Sequence, residues 1–165
     1  MRSLLVLLAC ACTASRTFEG DTTRLERASA MQGVAVLDSV RAASHDGFDR
    51  MVFYFRGAEL PGYVVEYRTD EPTHCASGAP IALNGAARLH VRLSPTQAHA
   101  PVDGDERPTI VNRALEPRLP QLRSLAMDCD FEGVVGWTAG LAARRPFRVQ
   151  TMMSPPRLVI DLQTN

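Results

Sequence analysis

The chain has 165 residues, with 18 basic and 18 acidic residues for a formal net charge of zero, and is 45% hydrophobic and 22% charged. That length suits one domain, and a balanced charge supplies no global field drawing it towards nucleic acid. All of its basic residues are arginine, so each cation is a planar fork suited to carboxylates, phosphates and aromatic faces.

The chain opens "MRSLLVLLACAC", with Arg2 followed by an apolar run from Leu4 to Ala9. A membrane-spanning helix needs about 20 apolar residues, so residues 1–10 read as a compressed secretory signal. "LLAC", residues 7–10, resembles the bacterial lipobox, in which Cys10 would carry a diacylglyceryl group and become the mature N-terminus. Ordinary cleavage after Ala9-Cys10-Ala11 and a start codon placed inside a longer signal are the alternatives. Acyl chains contribute ~0.8 kcal/mol per buried CH₂, enough for two or three to hold the protein on a membrane. Residues 11–33 are small, polar and charged without a sustained period, and read as a flexible tether. About 20 such residues reach roughly 25 Å.

Short β-type runs separated by turn chemistry follow, in a single domain over 34–165. "VAVLDSVR" (34–41) precedes a turn at His45–Asp49, and "RMVFYF" (50–55) ends at Gly57. "YVVEYR" (63–68), "RLHVRL" (88–93), "GVVGWT" (133–138), "PFRVQT" (146–151) and "RLVIDL" (157–162) complete the set. Between Ser94 and Met127 the chain is Pro-rich and irregular, with a strand expected at "TIVNR" and a short helix near "QLRSLAM", in the 115–127 region. Three runs alternate clearly: Leu89, Val91 and Leu93 oppose Arg88, His90 and Arg92; Leu158, Ile160 and Leu162 oppose Arg157, Val159 and Asp161; Met51, Phe53 and Phe55 oppose Arg50, Val52, Tyr54 and Arg56. Half-buried strands without a long helix predict an all-β fold, an antiparallel β-sandwich, with a closed barrel as the alternative.

Export sets the reading of the cysteines. An oxidising compartment favours a bridge between Cys75 and Cys129 over two separate buried thiols. His74 beside Cys75 is not read as a catalytic pair, because neighbours on an extended chain point opposite ways.

The cluster "HDGFDR" (45–50) gathers polar groups around Gly47. Asp46-Gly47 is hairpin punctuation, and Asp46 or Asp49 is expected to bond backbone N–H groups that stabilise the turn. A turn is preferred to a binding loop, metal site or catalytic site, since His45 has no evident nucleophile to activate and neither G-x-S-x-G nor H-E-x-x-H occurs. "VDGDER" (102–107) lacks the spaced acids of a calcium loop and reads as a solvated turn. The outward arginines Arg50, Arg56, Arg88, Arg92, Arg148 and Arg157 are the candidate ligand-binding residues. Several on one sheet would grip carboxylates by bidentate bonds; the competing reading is a solvated face paired with acids such as Glu66 and Asp161. Trp137 and Tyr63 are read as core in preference to sugar-stacking platforms.

In order, "HDGFDRMVFYF", "LPGYVVEY", "SGAPIAL", "FEGVVGWTAGL" and "RPFRVQTMMSPPRLVIDL" resemble the AMIN-like domain of bacterial secreted proteins and lipoproteins, across residues 34–165. The resemblance implies a non-catalytic β-sandwich of the cell envelope, related to domains thought to target peptidoglycan; no cofactor or metal is expected. Arg157 and Asp161 match the closing motif, and His45 to Arg50 match the AMIN-like signature. The expectation is an envelope lipoprotein binding peptidoglycan or another anionic wall polymer, with an adaptor for an envelope protein partner as the alternative.

Overall fold

Gly, Pro and Asx residues break the chain into short extended runs, and these form strands in the computed structural model, which describes residues 18–165. In chain order they are β1 (Leu25–Arg27), β2 (Ala35–His45), β3 (Phe48–Phe55), β4 (Gly62–Arg68), β5 (Ala87–Ser94), β6 (Thr96–Gln97) and β7 (His99–Val102). There follow β8 (Asp105–Pro108), β9 (Ala114–Leu115), β10 (Leu122–Phe131), β11 (Val134–Leu141), β12 (Phe147–Met153) and β13 (Pro156–Gln163). A six-stranded sheet has the order β1-β4-β5-β11-β10-β9, a five-stranded sheet the order β12-β13-β3-β2-β6, and β7 and β8 form a separate hairpin. Strand pairing is antiparallel apart from the short β2–β6 contact.

The two sheets pack on one core, as the alternation requires. The five-stranded sheet contributes Met51, Phe53, Phe55, Leu158 and Ile160, and the six-stranded sheet Leu89, Val91, Leu93, Trp137 and Ala139. Burying each of these aliphatic or phenyl side chains larger than alanine contributes about 1.5–3 kcal/mol. Trp137 is fully buried and meets Phe53 edge-on at 6.2 Å between ring centroids, a core role that leaves it no sugar to stack on.

The expectations for three segments fail. No helix forms in 115–127: the segment holds β9 and the start of β10. A bulge between Leu122 and Ser124 inserts an extra residue, so Leu122 and Leu125, three apart as on a helix face, both point into the core. "TIVNR" is not a strand; Thr109 instead bonds across loops, its N–H to Ala98 O at 2.8 Å and its hydroxyl to Leu37 O. Of the span read as a tether, residues from 18 onward are docked: β1 pairs with β4, and Asp21 exchanges both backbone hydrogen bonds with Phe147. This segment therefore straddles the margins of both sheets. Cys10, the signal and the rest of the tether lie outside the described residues.

The cluster at 45–50 is a hairpin turn. His45 pairs with Phe48, and Gly47 closes the loop at a φ of 81°, which costs glycine nothing. Asp49 does not stabilise that turn as expected. It is fully buried and its Oδ2 accepts the N–H groups of Gln121 and Leu122, at 2.6 and 2.9 Å, so it ties β3 to the first residue of β10 on the opposite sheet. The Asp103-Gly104 pair turns the β7–β8 hairpin, with both residues exposed.

Candidate functional site: an arginine face on the five-stranded sheet

Antiparallel register places residues from β12, β13, β3 and β2 in rows across the outer face of the five-stranded sheet. One row runs Arg148, Asp161, Arg50, Ala43; the next runs Gln150, Val159, Val52, Arg41; the third runs Met152, Arg157, Tyr54, Ser39. The face thus carries four guanidiniums, of Arg41, Arg50, Arg148 and Arg157, against the single carboxylate of Asp161.

Asp161 is the hinge of this arrangement. Its carboxylate is buried and is clasped from both sides: Arg50 donates Nε to Oδ1 at 2.6 Å and a terminal nitrogen to Oδ2 at 3.0 Å, and Arg148 donates Nε to Oδ2 at 2.8 Å. Burial acts to raise the Asp161 pKa, but the hydrogen bonds and charges of Arg50 and Arg148 outweigh it and hold the carboxyl below its ordinary value. The bond to Asp161 raises the pKa of Arg50, against the opposing effect of burial. The guanidiniums also lie on aromatic faces, Arg50 and Arg148 at 5.1 and 5.0 Å from the Phe48 ring centroid and Arg148 at 4.7 Å from that of Phe18. Each such contact adds about 0.5–1 kcal/mol at exposed sites.

Arg41 and Arg157 have no carboxylate among the described residues. Arg41 lies over Tyr54 at 5.4 Å, and Arg157 bonds only the carbonyls of Ser154 and Pro155. Between them Val52, Val159, Tyr54 and Met152 floor a shallow depression of about 430 Å³. A surface with spare cations around an apolar floor can hold a ligand that is anionic and has an apolar side, such as a polymer of acidic sugars or peptides.

Of the six candidate arginines, Arg50, Arg148 and Arg157 share this face. Arg56, beyond the end of β3, is exposed and neutralised by Asp38 at 2.7 Å. Arg88 and Arg92 belong to β5, on the outer side of the other sheet. Of the acids expected to pair locally, Asp161 does so, whereas Glu66 meets Arg24 at 3.1 Å. Arg41 escaped the sequence reading because a bulge between Leu37 and Ser39 breaks the alternation of β2, again setting core-facing positions, Leu37 and Val40, three apart. Cys75 and Cys129 form the expected disulfide, which consumes the thiol beside His74. No group of three or more His, Cys, Asp or Glu side chains among the described residues could hold a metal ion, and no described helix is long and apolar enough to cross a membrane.

The AMIN-like domain family matches the chain over residues 35–164. No curated protein and no solved structure matches it.

Proposed function

The chain belongs to the AMIN-like domain family, a membership that points to a binding domain of the cell envelope, and from that premise we propose that it is a non-catalytic envelope lipoprotein whose arginine face binds peptidoglycan or another anionic wall polymer. The observation that carries this reading is the imbalance of four guanidiniums to one carboxylate across three rows of one sheet. Asp161 holds Arg50 and Arg148 upright, while Arg41 and Arg157 offer their donors to the ligand. Exposed cations of this kind bind weakly one at a time, and a lipid on Cys10 would compensate by keeping the domain at a high effective concentration near the wall.

Sedimentation of the full chain with purified sacculi tests the reading. Pelleting is expected at low salt and is expected to fall at high salt, because exposed charge–charge contacts are screened. Reversing Arg41 and Arg157 to glutamate is expected to weaken pelleting by about tenfold. Salt-insensitive pelleting would remove the arginine mechanism. No pelleting at either salt would remove the wall reading and leave the adaptor for a protein partner, for which the exposed Met152 and Met153 beside the same face supply an apolar contact. For the anchor, Cys10→Ser is expected to release the protein from membranes, and retention would count against lipidation.

A further inference from the structure

Across the core from the arginine face, the outer side of the six-stranded sheet carries a roofed cavity of about 300 Å³. Its floor lies where β5 pairs with β11: Arg88 is opposite Gly140, His90 opposite Thr138 and Arg92 opposite Gly136. Its roof is the chain after β4, through Asp70 and Pro72. That roof is fastened to β10 by the Cys75–Cys129 disulfide and by a hydrogen bond from Cys75 N–H to Asp128 O at 2.9 Å.

The floor is set before any ligand arrives. A register shift between Met127 and Cys129 turns Asp128 onto this face, where it accepts a hydrogen bond from the Thr138 hydroxyl and lies 3.4 Å from His90 Nε2. Gly136 makes the space: a Cβ there would collide with the Asp128 carboxylate. His90, Asp128 and Thr138 are all buried. The trio is not a nucleophilic triad, because the threonine hydroxyl is directed at a carboxylate rather than at an imidazole base. Its part is to hold the cavity's shape.

The charges around this floor are unevenly paired. Three guanidiniums, of Arg68, Arg88 and Arg92, line it against two carboxylates, of Asp70 and Asp128, with that of Glu71 just outside the lining. Arg68 meets Asp70 at 3.3 Å, and Arg88 meets the exposed Glu71 only at 3.8 Å. Glu66, next to His90 on β4, turns away to Arg24. Arg92 is left without a carboxylate among the described residues. Arg88 gives its terminal nitrogens to the Gly85 and Leu83 carbonyls, while its Nε is buried with no acceptor. Pro72, Val134 and the disulfide give the cavity an apolar side.

We infer that this cavity binds a small carboxylate ligand, its anionic end held by Arg92 and its short apolar group against Pro72 and Val134. A singly charged carboxylate matches Arg92, the one lining guanidinium without a carboxylate of its own among the described residues. This site goes beyond the wall-binding reading and lies on the opposite face, so the two fail separately.

The test is amide NMR titration of the full chain with N-acetylalanine, using N-acetylalaninamide as the uncharged control. N-acetylalanine is expected to shift the signals of His90, Gly136 and Thr138, and the amide control to leave them in place. Arg92→Ala, at an exposed position, is expected to weaken the response about tenfold, the worth of a charge-assisted contact, whereas Arg157→Ala, on the other sheet, is expected to leave it unchanged. An equal response to the amide, an unaltered response in Arg92→Ala, or no shift at tens of millimolar ligand would each overturn the proposal, whatever the sacculus experiment shows.

Discussion

Replacing Cys75 and Cys129 together with serine is expected to lower stability by about 4 kcal/mol, the chain-entropy value for a cross-link spanning this much sequence. The two cysteines are 54 residues apart, and the bond joins the segment roofing the six-stranded sheet to the bulge in β10, so its loss frees a long loop in the unfolded chain. For a single domain of this size that is a large fraction of a typical 5–15 kcal/mol total. Urea denaturation of the oxidised protein and the double variant would measure it: the midpoint falls, and the m value rises because an uncrosslinked unfolded chain exposes more surface. An unchanged midpoint would mean that the cross-link does not restrict the unfolded chain as that value requires.

Asp161→Asn is expected to cost about 3 kcal/mol at neutral pH, the lower end of the range for removing one member of a buried ion pair. The lower end applies because the side chains of Arg50 and Arg148 are 30% and 29% exposed while Asp161 is 0% exposed, so the orphaned cations can turn partly into water. The effect has a pH signature. The Asp161 carboxyl is held below its ordinary value in the folded protein, so its contribution is complete above the unfolded-state pKa of about 3.9 and disappears as pH falls through the lower folded-state value. Wild type and Asp161→Asn should therefore differ most in urea midpoint at neutral pH and converge in strong acid. A gap of the same size at both ends of that range would show that the asparagine variant suffers from packing, and that the clasp of two arginines is not what stabilises the row.

How far the sequence could be read depended on whether the strands kept their parity. β3, β5 and β13 alternate without interruption, and their core and outer residues fall where a period of two puts them. Parity also held information that went unused: Asp49 shares the core-facing set with Met51, Phe53 and Phe55, and a carboxylate at such a position must find backbone donors, here those of Gln121 and Leu122. Where a bulge adds a residue, as after Leu37 and Leu122, the core positions fall three apart, so a period of two does not assign Arg41 to a face and the start of β10 reads as a helix. β10 had a second disguise. The roof segment covers its outer side, so Ser124, Ala126 and Asp128 are buried along with Leu125 and Met127, and no polar face marks it as a strand. Which arginines share a surface is a matter of strand order, which joins β12, β13 and β3 but sends β5 to the other sheet. No local pattern states that order.

The docked segment from Asp21 to Arg27 has a practical consequence. It occupies the free backbone margin of β4 at Tyr63–Val65 and that of β12 at Phe147, where bare N–H and C=O rows would otherwise recruit strands from neighbouring molecules. It works as a hem: a recombinant fragment cut at residue 34 would leave the β4 seam and the Phe147 end of β12 open to intermolecular stitching, while one beginning before Asp21 keeps them closed.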